Sequence, residues 1–156
     1  MGGVGFFWAD KNQECPDLVI ESGQIKFDDG LETPVFISAF SDRFVELEAL
    51  KAFETDSKGW WADLISEPTD DFIGSRLWTI ERAKTNSATA LRIEDALKES
   101  MQWMIDDGIA ESIVVSSEIV DSEEIVGRVE IQKPSGDDIP FKFAWDGQSL
   151  KISGGI

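Results

Sequence analysis

Residues 86 to 108, "NSATALRIEDALKESMQWMIDDG", set the strongest limit on what this chain can fold into. Ile93, Leu97, Met101 and Met104 recur at intervals of four, four and three residues, while Glu94, Glu99 and Asp106 fall elsewhere. In a helix of 3.6 residues per turn that spacing gathers the apolar side chains on one face and leaves the acids off it. Asn86 or Ser87 can cap the start by accepting a backbone N–H, and Gly108 suits a left-handed C-terminal cap. The spacing predicts one amphipathic helix of about twenty residues, and a helix with one apolar face needs a cover. The following sequence supplies it. "ESIVVSSEIVD" alternates imperfectly, "EEIVGRVEIQK" puts Ile125, Val129 and Ile131 on one face, and "IPFKFAWDG" does the same with Ile139, Phe141, Phe143 and Trp145. With "SGDD" at 135–138 as a hairpin turn, the expectation is a three-stranded antiparallel sheet against the long helix. The fold class is therefore α+β in a single domain: an antiparallel sheet packed against one long amphipathic helix, plus shorter helices.

Upstream the pattern is more broken. "DLVIESGQIKFDDGLETPVFISAF", residues 17–40, carries β-branched and aromatic residues cut by "SG" and "DDG", which reads as a small antiparallel ribbon. Phe44, Leu47 and the neighbourhood of Leu50 suit a helical turn or two between Asp42 and Lys58. "DLISEPTDDF", 63–72, reads as a loop leading into a short helix at about 71–83. Gly74 inside that helix costs about 1 kcal/mol relative to Ala, so either the first turn or a close contact is expected there.

Composition narrows the chemistry. Thirty-one acids against fourteen bases give a formal charge of −17 over 156 residues. No basic patch is visible, so neither a nucleic-acid backbone nor an anionic membrane surface is an expected partner. Such charge favours solubility and an isolated monomer, and it also suits a basic partner. Histidine is absent, which removes the commonest general base and most zinc chemistry. Cys15 stands alone, so no internal disulfide is expected. The start, "MGGVGFFWADKNQE", has neither a basic n-region nor a long apolar run, and no signal peptide or membrane span is expected from it. The Asp pairs at 28–29, 70–71, 106–107 and 137–138 lack calcium-loop spacing and sit beside turn signals. No metal or cofactor is expected. A carboxylate pair among Asp63, Glu67, Asp70 and Asp71, beside tryptophans that could form a sugar platform, leaves a glycosidase as the competing class. A free acidic adaptor is the third.

The stretch "GWWAD", 59–63, followed by "GSRLW", 74–78, reads better as recognition. Adjacent tryptophans diverge in either a helix or a strand, so one of Trp60 and Trp61 is expected in the core and the other, with Arg76, on a partner-facing surface. Trp and Arg are enriched where interfaces concentrate their binding energy. The competing role for Arg76 is internal, stacked on a Trp and bonded to a buried carbonyl or to Asp63.

Those two motifs, "ER" at 81–82, "AL" at 96–97, "QW" at 102–103, a closing "DG", and "FISAFSDRF" at 36–44 resemble, in order and spacing, the Mu-like branch of the small baseplate-wedge proteins of contractile phage tails. The wider family includes the lysozyme-like wedge subunit of T-even phages and subunits of type VI secretion baseplates. The resemblance covers about 17–147, leaving 1–16 as an N-terminal extension and 148–156 as a C-terminal tail. It implies a non-enzymatic structural subunit of the virion baseplate, assembled in the host cytoplasm and present in several copies. Its implied partners are other wedge proteins, the tail sheath and the central spike or hub. The implied sheath contact is strand exchange at a sheet edge. The expected partner-binding residues are Trp60, Trp61, Gly74, Ser75, Arg76, Trp78 and Arg82. The sequence departs from the wider pattern in two places: "DDFIG" stands where a Pro-x-aromatic-Gly stretch precedes a helix, and Glu67-Pro68-Thr69 contrasts with a Glu-Pro-Arg element. An old association with lysozyme activity makes peptidoglycan hydrolysis the alternative function.

Overall fold

A computed structural model describes residues 3–4, 6–7, 17–18, 20–25, 27–28, 30–46, 48, 50, 57–64, 72–81, 83–146 and 150–154. The long helix, α2, spans Ser87–Asp106. The Asn86 side chain accepts from the Thr89 N–H at 2.9 Å, and the Thr89 hydroxyl donates back to the Lys84 carbonyl at 2.6 Å. At the other end Gly108, at φ +70°, lets Gly108 N–H donate to Ile105 and Ile109 N–H donate to Met104. This paired arrangement satisfies carbonyls that the helix end would otherwise orphan. Between the caps the buried positions are Thr89, Ala90, Ile93, Ala96, Leu97, Ser100, Met101 and Met104, which include the face read from the spacing.

Four strands follow: β7 Ser112–Ile119, β8 Ile125–Gln132, β9 Asp138–Trp145 and β10 Leu150–Gly154, in antiparallel order β10-β9-β8-β7. The register explains the core. Val115 pairs with Val129 and Val129 with Phe141; Ile125 pairs with Trp145; Ile131 pairs with Ile139. With Phe143 and Ile152, these residues turn one face inward, and α2 packs on it, mainly along β7. Each fully buried Leu, Ile, Phe or Met is worth about 1.5–3 kcal/mol relative to exposure. Arg128, Glu130 and Lys142 lie on the opposite, exposed face. Asp121 closes the β7–β8 hairpin by accepting the N–H groups of Glu123 and Glu124. Gly136, at φ +89°, turns the β8–β9 hairpin.

Three expectations change. The sheet has four strands because Leu150 and Ile152, within the segment read as a tail, pair with Trp145 and Phe143 and complete the inner face. Residues 17–40 are not all ribbon. Short pairs form at β1 Gly3–Val4 with β6 Phe27–Asp28, β2 Phe6–Phe7 with β3 Asp17–Leu18, and β4 Ile20–Glu21 with β5 Gln24–Ile25. Glu32–Phe40 then forms a helix, α1. Its β-branched and aromatic residues suit a strand locally, but Val35, Phe36 and Ala39 bury at helical spacing, and Pro34 is tolerated in a first turn. The helix expected at about 71–83 is, among the described residues, one 3-10 turn at Leu77–Ile80, for the reason given below. Of the helical turns expected between 42 and 58, residues 43–46 around Phe44 form no helix, and Leu47 with residues 49 and 51–56 lies outside the described residues.

Gly127 sits on the inner face under the Phe143 ring. A Cβ there would run into that ring and the Ser116 carbonyl. Gly127→Ala is expected to destabilise the fold by about 1–3 kcal/mol, the usual cost of overpacking. Thermal unfolding checks this, at roughly 2–4 °C per kcal/mol for a chain of this size.

Candidate functional site

The site is assembled where residues 74–78 cross the C-terminal end of α1. Ser75 is buried with its polar groups engaged: its hydroxyl donates to the Ala39 carbonyl at 2.6 Å, its N–H donates to Ser41, and its carbonyl accepts from the Arg43 N–H, both at 2.9 Å. Gly74 precedes it at φ +98°, and a Cβ there would strike the Ser41 carbonyl. This left-handed, backbone-bonded crossing prevents an α-helix from starting at residue 71, so helical geometry begins only at Leu77.

The crossing places Trp78 and Arg76 differently. Trp78 is buried, its indole N–H donates to the Arg43 carbonyl at 2.9 Å, and the Lys58 ammonium lies 4.9 Å from its ring centroid. Lys58 also pairs with Asp42 at 2.8 Å. Arg76 points outward and is held by Glu99 of α2, with its Nε at 2.7 Å and an Nη at 2.6 Å from one carboxylate oxygen. The other oxygen of Glu99 lies 3.5 Å from Arg43, whose guanidinium stands over Phe72 at 5.4 Å. One carboxylate thus orients two guanidinium groups. With half of the Arg76 side chain exposed, the pair contributes little stability, at most about 1 kcal/mol, but it fixes the direction in which Arg76 is presented.

The tryptophan pair is reached through Lys58 at φ 51° and Gly59 at φ 97°; a Cβ on Gly59 would approach the Phe44 Cβ to 2.8 Å. The chain then enters a 3-10 turn at Trp61–Leu64. Trp60 is 45% and Trp61 70% exposed, with ring centroids 5.8 Å apart. The expected division into one core and one surface tryptophan does not hold, because this turn directs Asp63 inward instead. Asp63 is buried, and neither carboxylate oxygen has a hydrogen-bond partner among the described residues.

Of the residues singled out in the sequence, Trp60, Trp61 and Arg76 lie on the surface, whereas Gly74, Ser75 and Trp78 lie behind it and hold it in place. Arg82 lies outside the described residues. Arg76 has neither internal role expected of it; Lys58 takes the position over a tryptophan and Glu99 supplies the carboxylate. Glu99 and Lys58 were not legible as site residues, since Glu99 reads as one of several acids on a helix's polar face. Among the described residues no group of three or more His, Cys, Asp or Glu is placed to hold a metal ion.

Comparison with known proteins places this geometry in a family. The phage protein GP46 family profile matches residues 31–138, from α1 through the β8–β9 hairpin. The chain belongs to that family. It is 32% identical over 128 residues to the baseplate protein gp46 of Escherichia phage Mu, covering 81% of this chain and 86% of the Mu protein. It is 33% identical over 99 residues to the Mu-like prophage FluMu protein gp46 of Haemophilus influenzae, covering 64% of this chain and 65% of that protein. The GP46 match bears out the resemblance to Mu-like baseplate proteins, and with it a structural role in a phage baseplate. No solved structure matches significantly.

The two halves of the site respond differently to substitution. Gly74→Ala is expected to destabilise the GP46 fold by about 1–3 kcal/mol through left-handed backbone strain. Trp61→Ala, at an exposed position, is expected to change it by no more than about 0.5 kcal/mol. Denaturant titration of both variants checks the contrast.

Proposed function

We propose that this GP46 family member is a structural wedge subunit of a contractile-tail baseplate, and that the surface around Trp60, Trp61 and Arg76 joins it to neighbouring baseplate proteins. The observation that carries the proposal is the exposure of two adjacent tryptophans on a turn fixed by Gly59, close in sequence to a carboxylate-oriented arginine. Large exposed rings are costly in a free chain and valuable in an interface, where Trp and Arg supply a disproportionate share of binding energy. In this reading Gly74, Ser75 and Trp78 hold the surface rigid, and Arg82 is a further residue assigned to partner binding on the sequence alone.

The sheet supplies the second contact. Its edge strands, β7 and β10, leave one side of each backbone unpaired within the sheet. Val114 on β7 is 54% exposed, and Ile119 and Val120 at its end are 43% and 55% exposed. An edge of this kind suits strand addition by the tail sheath, which would let the subunit start sheath assembly while joining wedge proteins around the central hub. The subunit works in several copies, without a cofactor, in the virion baseplate after assembly in the host cytoplasm.

Of the acids considered for hydrolysis, Glu67, Asp70 and Asp71 lie outside the described residues, and Asp63 does not line the cleft beside the site. That cleft, lined by Phe40, Asp42, Trp78, Glu81, Trp145 and Leu150, has a volume of about 180 Å³. Ligand pockets usually enclose about 300–1,000 Å³. Asp42, one of its two acids, is already paired with Lys58.

Arg76→Ala is expected to leave the melting temperature nearly unchanged while weakening attachment to co-expressed baseplate proteins by about 2 kcal/mol, roughly thirtyfold. Co-purification followed by titration measures this. Variants that join baseplates with wild-type yield would remove Arg76 from the interface.

A further inference from the structure

We infer that the Trp60–Trp61 surface takes a cationic side chain, foremost an arginine, presented by a segment of another protein, with Asp63 as its countercharge. The inference rests on the reading of this surface as a partner contact and specifies the chemistry of that partner.

Asp63 is the observation that calls for it. It is 5% exposed, and both carboxylate oxygens lack a hydrogen-bond partner among the described residues. The acids around the neighbouring arginines behave otherwise: Asp42 pairs with Lys58, Glu99 with Arg76 and Arg43, and Glu94 with Lys98. A buried carboxylate left without donors costs the fold free energy that burial of the same volume of apolar side chain would not. The Asp63 N–H donates to the Trp60 carbonyl at 3.0 Å, and in a turn with three residues per turn side chains three apart eclipse one another. Asp63 therefore lies on the Trp60 side of the turn, buried while the two neighbouring indoles are 45% and 70% exposed.

Exposed indole faces and an unneutralised carboxylate suit one class of group. A guanidinium stacks on an aromatic ring with its plane and donates a two-pronged hydrogen bond to a carboxylate, which a compact ammonium does less well. The chain's net charge of −17 draws a basic segment towards it and repels an acidic one. A sugar also stacks on tryptophan, yet it neither neutralises the carboxylate nor gains from the charge. Because both oxygens are sealed, the Trp61–Leu64 turn has to shift for the guanidinium to reach Asp63, so binding and local rearrangement are coupled.

Calorimetric titration of the whole chain at physiological ionic strength tests this, with hexa-arginine as the probe and hexa-glutamate and chitotetraose as comparisons. Hexa-arginine is expected to bind saturably, and Asp63→Asn and Trp61→Ala are each expected to weaken it by about tenfold, whereas Arg128→Ala, on the exposed face of the sheet, changes it by less than about twofold. Asp63→Asn is also expected to raise the melting temperature by a few degrees, because it relieves the unpaired buried charge. Wild-type affinity in Asp63→Asn, a lowered melting temperature in that variant, or chitotetraose binding in place of hexa-arginine would each overturn the inference. Asp63-dependent peptide binding in a protein whose Trp61→Ala variant still builds normal baseplates would uphold the cation site and remove the baseplate contact from it. Baseplates that require Trp61, from a protein indifferent to hexa-arginine, would do the opposite.

Discussion

The arrangement of the surface depends on the backbone crossing at Ser75. Three hydrogen bonds at one buried serine, donated to the Ala39 and Ser41 carbonyls and accepted from the Arg43 N–H, tie residues 74–78 to the end of α1, and Gly74 is the residue type that permits the approach. From that tie follow the burial of Trp78, the hydrogen bond from its indole to Arg43, and the exit of Arg76 toward Glu99. Glu99 belongs to α2, which itself packs on the inner face of the sheet. The position of Arg76 is thereby referred to the most deeply buried part of the protein, through Met101 and Leu97 on the opposite side of the same helix. A surface held this way loses little conformational entropy on binding, which favours specific assembly.

Against this rigid frame, the tryptophan turn runs counter to stability. Two exposed indoles and, three residues on from the first, a buried carboxylate with no hydrogen-bond partner among the described residues are features that an isolated fold gains nothing from. Local conflicts of this kind concentrate where a protein meets something else. The place of the Mu relative in a phage baseplate gives the conflict a setting, an assembly of this protein with other baseplate components. A net charge of −17 makes copies of the chain repel one another and attracts basic groups.

Much of the fold was written in local pattern, and the parts that were not have identifiable causes. Ile93, Leu97, Met101 and Met104 announce α2, and Asn86 and Gly108 mark its ends, because capping and amphipathicity are properties of neighbours in sequence. The inner faces of β8 and β9 were legible by alternation for the same reason. The α1 helix was hidden because Val35, Phe36 and Ile37 favour strands locally, and only packing against α2, including the hydrogen bond from the Trp103 indole to Ser38, selects the helix. Of the site, the residue types at Trp60, Trp61 and Arg76 were visible. The inward turn of Asp63 was not, and neither was the role of Glu99, since its partner Arg76 lies 23 residues away on another element.

In the proposed function the Trp60–Trp61 turn meets another protein in the assembled baseplate. The most direct measurement replaces Trp61 with a photo-crosslinking amino acid, assembles baseplates from that protein, and irradiates them. A covalent adduct between this subunit and one defined baseplate protein is expected, formed in assembled particles and not in the isolated chain. Complete baseplates in which position 61 yields no protein adduct would contradict it.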